Sequence, residues 1–350
     1  MTKCCAGIYI LCSIILFCSK NAISHFDEAY STRTSETTKL LNWQALYVDD
    51  SLTIDKVSIP GTHDSASLHG GPVVQTQTKS ITSQLEAGIR FFDIRLRHIE
   101  NVMAIHHGMV YQNIMFGDIL NQMSSFLKSH PSEFLIVRVK EEYDATDNTR
   151  TFEETFIDYM DRYSDIIYIP KNDKTFPTVA EMRGKLIFLD QIPRSTSKTL
   201  GIKYSSNFDI QDYYSLGSNW DLYNKWTKVK NQLVSANEKK SKIINYLSGS
   251  TGSFPYFVAS GHSSQGMGDP RLLTGATTPG WSYLYPDFPR VSCFIGICSI
   301  AFEGTNILAR DWIQENDPSY TGIVAGDFMG SSLIYEIVKT NDRSPKYSYR

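Results

Sequence analysis

Short, almost continuously apolar runs separated by amphipathic stretches constrain this chain more than any other feature. The runs are KVSIPG (56–61), RFFDIRL (90–96), VMAIHHG (102–108), FLIVRVKEE (134–142), KLIFLDQ (185–191), FDIQDYY (208–214), YFVASG (256–261) and GIVAGDF (322–328). A strand with one wet face alternates apolar and polar residues. A strand covered on both faces is apolar throughout, as in a parallel sheet. Helical periodicity fills the gaps: GDILNQMSSFLKSHP puts Ile119, Leu120, Met123, Phe126 and Leu127 on one face and stops at Pro131. The runs 152–163 and 220–247 and the closing SSLIYEIVKTN behave likewise. Eight strands with intervening helices predict an α/β fold, a (β/α)8 TIM-like barrel, fully or incompletely closed. A doubly wound open sheet is the alternative, but no Gly-rich phosphate loop supports it.

The 350 residues carry a net charge of −3 and no long basic block, so a nucleic-acid partner is not expected. Lys3 precedes the apolar run CCAGIYILCSIILFC, too short for a comfortable membrane span and right for a signal-peptide core. Residues 1–22 are therefore expected to be a signal peptide, cut near Ser19 or Ala22, with a retained anchor as the alternative. Residues 23–41 read as a flexible polar lead-in and 42–345 as one exported domain. Four of the six cysteines fall in the leader; Cys293 and Cys298 remain. In one straight strand residues five apart point to opposite faces and cannot bridge, whereas a turn at Gly296 would permit a disulfide.

Polar side chains collect at the strand ends. His63 and Asp64 follow Pro60-Gly61, which is expected to break the first strand. Asp93 and Arg95 lie on the second, His106 and His107 on the third, Lys140 and Glu142 on the fourth, Asp212 and Tyr214 on the sixth, Asp327 on the eighth. A lone histidine at a strand end is ordinarily solvated or structural, but in a barrel these ends converge on the face that carries catalysis. Two histidines, each with a carboxylate within reach, supply a base and an acid near neutral pH. An arginine between them matches its planar fork to two phosphate oxygens. That set suits phosphodiester cleavage by an internal hydroxyl and needs no metal.

SIPGTHDS, QLEAGIRFFDIRLR, IHHGMVY, PSEFLIVRVKEEY and MRGKLIFLDQ together resemble the successive motifs of the phosphatidylinositol-specific phospholipase C X-domain family, in its secreted bacterial form. The resemblance runs from Lys56 to Gln191 and resumes more weakly at FDIQDYY and GIVAGDF. It implies that His63 deprotonates the inositol 2-hydroxyl, His107 protonates the departing diacylglycerol oxygen, and Arg95 binds the phosphate. It implies Asp327 and Asp64 as supports of His63 and His107, and Asp93 as a carboxylate near the phosphate. Lys140, Asp212 and Tyr214 match inositol-contacting positions. The family's pocket arginine after the fifth strand is Gln191 here, unless Arg194 reaches in, and this leaves a glycosylated phosphatidylinositol or a lysolipid open as substrate. Calcium-dependent members carry oxygen ligands where Asp64 and Arg95 stand, so no metal or other cofactor is expected.

The Gly/Pro-rich stretch 262–290 departs from the compact bacterial pattern. Its Trp281, Tyr283 and Tyr285 suit a membrane surface, and equally a loop folded over its own barrel. His262 is expected to be structural. Two other functions remain: a metal-dependent glycerophosphodiesterase or sphingomyelinase D-like barrel, which Arg95 opposes, and a catalytically silent barrel binding inositol lipids or glycans, which has no need of both an acid and a base.

Overall fold

The computed structural model describes residues 28–263, 265, 273–277, 290–295 and 297–342. The expected leader and Trp281, Tyr283 and Tyr285 lie outside them. In chain order the strands are β1 (Ile59–Thr62), β2 (Phe91–Ile99), β3 (Val102–His107), β4 (Val110–Met115), β5 (Leu135–Glu141), β6 (Leu186–Gln191), β7 (Ile202–Lys203) and β8 (Asp209–Gln211). There follow β9 (Ser215–Leu216), β10 (Ile243–Tyr246), β11 (Ser250–Thr251), β12 (Leu273–Thr277), β13 (Arg290–Phe294), β14 (Ile297–Ala301) and β15 (Ile323–Gly326). Eight of them pair in parallel in the order β7-β6-β5-β2-β1-β15-β10-β8. The two ends of this curled sheet, β7 and β8, are joined by the single helical turn Tyr204–Asn207 but share no ladder. The barrel is therefore incompletely closed.

Two of the expected barrel strands are something else. Only Glu100 and Asn101 separate β2 from β3, both with positive φ, so the chain doubles back as a hairpin. A parallel partner would need a crossover of a dozen residues. YFVASG is the helix Pro255–Ser260, with proline in its first turn and Gly261 in the left-handed conformation at its end. Their places in the barrel go to β7 and to β10. The latter follows directly on the helix Leu222–Lys239, which ends where Lys240 turns left-handed. All four β10 residues are buried.

β1 runs through Pro60-Gly61 instead of stopping there. Pairing with β2 begins only at Gly61, so the missing N–H of Pro60 leaves no ladder position empty on that side. Gly61 is required by close approach: a Cβ there would come within 2.6 Å of the Phe91 ring.

Residues 28–41, the described part of the stretch 23–41 expected to be a flexible lead-in, are anchored to the barrel at several points. Ala29 and Tyr30 are buried, Tyr30 bridges to Met329 beside β15, and Glu36 pairs with Lys79 at 2.9 Å. At the opposite end of the sheet from the site, Arg90 is fully buried against Glu133 at 2.8 Å. It also donates to the carbonyls of Leu40, Leu41, Leu85 and Ile89. One guanidinium thus clamps the lead-in to the starts of β2 and β5.

β12, β13 and β14 form a separate antiparallel sheet between the helices Pro255–Ser260 and Thr305–Asn316. In its β13–β14 hairpin Cys293 is the register partner of Cys298, and Cys298 is disulfide-bonded. The chain reverses between Phe294 and Ile297, which supplies the turn that a straight strand lacks.

Candidate active site

The period of two along each strand decides which side chains meet. Asp93 and Arg95 share one face of β2. Across the ladder Arg138 stands opposite Asp93 and Lys140 opposite Arg95. Beyond β1 the backbone is drawn onto β2: Ser65 N–H donates to the Asp93 carbonyl at 2.9 Å, and the Asp93 N–H donates to Ser65 Oγ at 2.8 Å. Asp64 adopts a positive φ of 39° in this turn, which points His63 and Asp64 in different directions. β15 delivers Asp327 beside β1, and the β3–β4 hairpin folds His107 over the same end.

His63 Nδ1 lies 2.8 Å from Asp327 Oδ1, and His63 Nε2 lies 2.6 Å from Arg95 Nη2. A guanidinium can only donate, so Nε2 accepts and Nδ1–H donates to Asp327: the imidazole is neutral. Burial, reinforced by Arg95, pushes His63 well below the ordinary 6.5. Burial and Asp64 push the Asp327 carboxyl up. The bond it accepts from His63 opposes this, and it is the geometry that fixes the imidazole tautomer. The His63 ring stands edge-on to Tyr246, centroids 5.9 Å apart.

His107 has the opposite environment. Its Nδ1 is 3.0 Å from Asp64 Oδ2 and 3.1 Å from Ser67 Oγ, leaving Nε2 free. Burial lowers its pKa, but the contact and charge of Asp64 override this and raise it above 6.5. Two titratable groups on one cavity are thus pushed apart, one towards a base and one towards an acid. His106, its neighbour on an extended strand, points away and packs on Tyr111.

Arg95 sits among carboxylates: Nε is 3.6 Å from Asp64, Nη2 3.5 Å from Asp93 and Nη1 3.8 Å from Glu142. These three hold its charge against the cost of burial. Asp93, expected near the phosphate, lies beneath the cavity floor. It is fully buried and accepts from Arg138 Nη1 at 3.0 Å and from the Asp64 N–H at 3.2 Å. Burial pushes its pKa up, and Arg138 and Arg95 more than reverse that.

A cavity of about 330 Å³ opens above these residues, lined by His63, Arg95, His107, Arg138, Lys140, Asp212, Tyr214 and Asp327, among others. Lys140 pairs with Glu142 at 2.9 Å, and Tyr214 is 57% exposed at the rim. Sequence reasoning missed Arg138. Its Nε and Nη2 both donate to Gln191 Oε1, at 3.0 and 2.8 Å, and its guanidinium lies 4.4 Å from the Tyr204 ring. The R-x-K-x-E spacing of residues 138–142 was the available signal, since period two puts all three on the face of Lys140. Arg194 does not reach the cavity. It pairs with Glu153 and Asp190 along a second cleft of about 500 Å³, which contains neither histidine. His262 is buried against Tyr30, 5.8 Å between ring centroids. Among the described residues no group of three or more His, Cys, Asp or Glu side chains is arranged to hold a metal.

Comparison with known proteins agrees with this architecture. The model of the phosphatidylinositol-specific phospholipase C X domain matches residues 53–191. A 1-phosphatidylinositol phosphodiesterase of Staphylococcus aureus (strain Newman) is 30% identical over 293 residues, covering 71% of this chain and 91% of its own. One from Listeria monocytogenes is 30% identical over 276 residues, covering 74% and 83%. The phosphatidylinositol-specific phospholipase C structure from Listeria monocytogenes superposes with a TM-score of 0.64 at 23% identity, over 87% of this chain and all of the other, which establishes the shared barrel fold. A Staphylococcus aureus phosphatidylinositol-specific phospholipase C structure, from work on membrane binding, gives 0.63 at 25% identity. By this similarity, carried across most of its length, the chain belongs to the phosphatidylinositol-specific phospholipase C X-domain family.

Proposed function

We propose that the protein cleaves phosphatidylinositol, or a glycosylated form of it, into diacylglycerol and inositol 1,2-cyclic phosphate. The observation that carries this reading is the pair His63 and His107, with pKa values displaced in opposite directions and Arg95 between them. Substrate phosphate entering the cavity takes the guanidinium of Arg95 and frees His63 Nε2. That nitrogen accepts the proton of the inositol 2-hydroxyl as its oxygen bonds to phosphorus. His107 Nε2–H gives its proton to the diacylglycerol oxygen as the P–O bond breaks. Arg95 neutralises the charge that builds on the non-bridging oxygens. Slower hydrolysis of the cyclic product uses the same histidines in reversed roles. Lys140, Asp212 and Tyr214, with Arg138 behind them, are proposed to hold the ring.

Metal independence is part of the proposal and is supported by Arg95. Its charge already occupies the space among Asp64, Asp93 and Glu142, where a cation would sit. Export through the N-terminal apolar run fits a lipid substrate on a cell surface. Phosphorus NMR of phosphatidylinositol vesicles with and without EDTA tests the reading. The cyclic phosphate signal should appear and be insensitive to chelator. Loss of turnover with EDTA would point to a metal-dependent phosphodiesterase, and no turnover in either condition to a binding barrel.

A further inference from the structure

The helix Leu222–Lys239 buries Leu222, Lys225, Trp226, Val229, Leu233 and Ala236, a face that amphipathic helices fill with apolar side chains. Lys225 is the one charged residue on that face, and it is fully buried. Burial strips an ammonium group of its water, so a lysine is costly at such a position unless something compensates it. Its one hydrogen bond is to the carbonyl oxygen of Tyr246, the last residue of β10, at 2.6 Å from Nζ. Among the described residues no carboxylate touches it. Tyr246 is the register partner of Ala325, two residues before Asp327, so the amine is held at the catalytic end of β10 and β15. The charges that act on it are those of Asp212, just beyond β8, and Asp327, just beyond β15. Both carboxylates line the catalytic cavity, and Lys225 stands behind them.

Asp327 needs such a charge. It is 1% exposed; Oδ1 accepts from His63, and Oδ2 has no hydrogen-bond partner among the described residues. Burial, with Asp64 and Asp93, favours its protonated form, while Arg95 and Lys225 oppose this. A protonated Asp327 cannot balance the imidazolium that His63 becomes on taking a proton. The two cations differ in one respect. Arg95 faces the cavity, and the phosphate proposed to bind there neutralises it. Lys225 does not line the cavity, so its charge remains for Asp327 when phosphate is bound.

We propose that Lys225 is a positioning residue: its buried ammonium holds Asp327 ionised in the substrate complex, and through Asp327 keeps His63 a base. The capture of Arg95 by phosphate rests on the proposed phospholipase function; the electrostatic link from Lys225 through Asp327 to His63 does not. Burial lowers Lys225 itself to about 7, which leaves it charged over the range well below 6.5 in which His63 takes up its proton. The link is therefore expressed on the acid side of the pH profile.

The test measures kcat against pH for phosphatidylinositol cleavage by Lys225→Met and Lys225→Gln. Methionine suits the apolar face, and the Tyr246 carbonyl keeps the bond it accepts from Gln211 Nε2 at 2.8 Å, so the fold should hold. Glutamine keeps a donor without the charge. Removing a positive charge lets the His63–Asp327 pair take up its proton at higher pH. In both variants the acid limb should therefore move up by about one pH unit. Plateau kcat and KM should stay within about 3-fold, and the alkaline limb, set by His107, should stay where it is. The imidazole NMR titration of His63 without substrate should show the same displacement. An acid limb unmoved in both variants would overturn the proposal. So would a wild-type limb in Lys225→Gln, which assigns the effect to the hydrogen bond on Tyr246. A raised KM with the limb unmoved would overturn it too, by assigning Lys225 to Asp212. If the wild type turns over no inositol lipid, the NMR displacement in Lys225→Met upholds the link to Asp327 and removes the phospholipase reading, and its absence overturns both.

Discussion

Arg138 and Asp93 stand opposite one another in the register of β2 and β5, and their side chains close a 3.0 Å ion pair beneath the cavity. Asp93 also touches Arg95, so one buried carboxylate positions both the arginine proposed to bind phosphate and the arginine proposed to lie behind the inositol ring. Arg138→Lys keeps the charge against Asp93 but loses the fork on Gln191. It should fold normally and raise KM for phosphatidylinositol by about 10-fold, with kcat within about 3-fold. If kcat falls while KM stays, Arg138 acts through Asp93 on Arg95 and does not meet the head group.

The two histidines predict a bell-shaped kcat/KM profile. His63 must be neutral to accept a proton, and its pKa is lowered, so activity is lost only well below pH 6.5. His107 must be protonated to donate, and its pKa is raised, so activity is lost only as pH climbs above 6.5 through that value. Asp64→Asn removes the charge that raises His107, so the alkaline limb should move to lower pH while the acid limb stays. A profile whose alkaline limb does not respond assigns that limb to another group.

Stability is expected to depend on Arg90, at the far end of the barrel. Glu133→Gln leaves a fully buried guanidinium without its counter-charge and should cost about 3–5 kcal/mol in urea denaturation. Arg90→Met/Glu133→Leu should recover part of this, because no buried charge is left unpaired, although the carbonyls of Leu40, Leu41, Leu85 and Ile89 lose the donor that Arg90 supplied. In both, kcat/KM should be near wild type wherever the protein is folded. A loss below about 1 kcal/mol for Glu133→Gln would show that water reaches this clamp.

The parts of the site legible in the sequence are those at strand ends. His63, Arg95, His107 and Asp327 each follow or close an apolar run, and a barrel brings such ends together. Arg138 was hidden because it lies mid-strand, where only the pairing of β5 with β2 shows that it meets Asp93. β10 was hidden because KIINYL continues the apolar spacing of the preceding helix, and nothing local marks the break except a left-handed Lys240. YFVASG was misread for a different reason. A six-residue apolar run has no usable period, and the Pro255 and Gly261 caps outweigh its composition.

The central claim, that His63 is the base and His107 the acid, is tested most directly by changing the leaving group. Diacylglycerol is a poor leaving alkoxide and needs a proton, whereas p-nitrophenolate leaves without one. On phosphatidylinositol, His63→Ala and His107→Ala should each lose on the order of 10²-fold or more in kcat. On p-nitrophenyl inositol phosphate, His107→Ala should recover most of its loss and His63→Ala none. Equal losses on both substrates, or recovery by His63→Ala, would contradict the assignment.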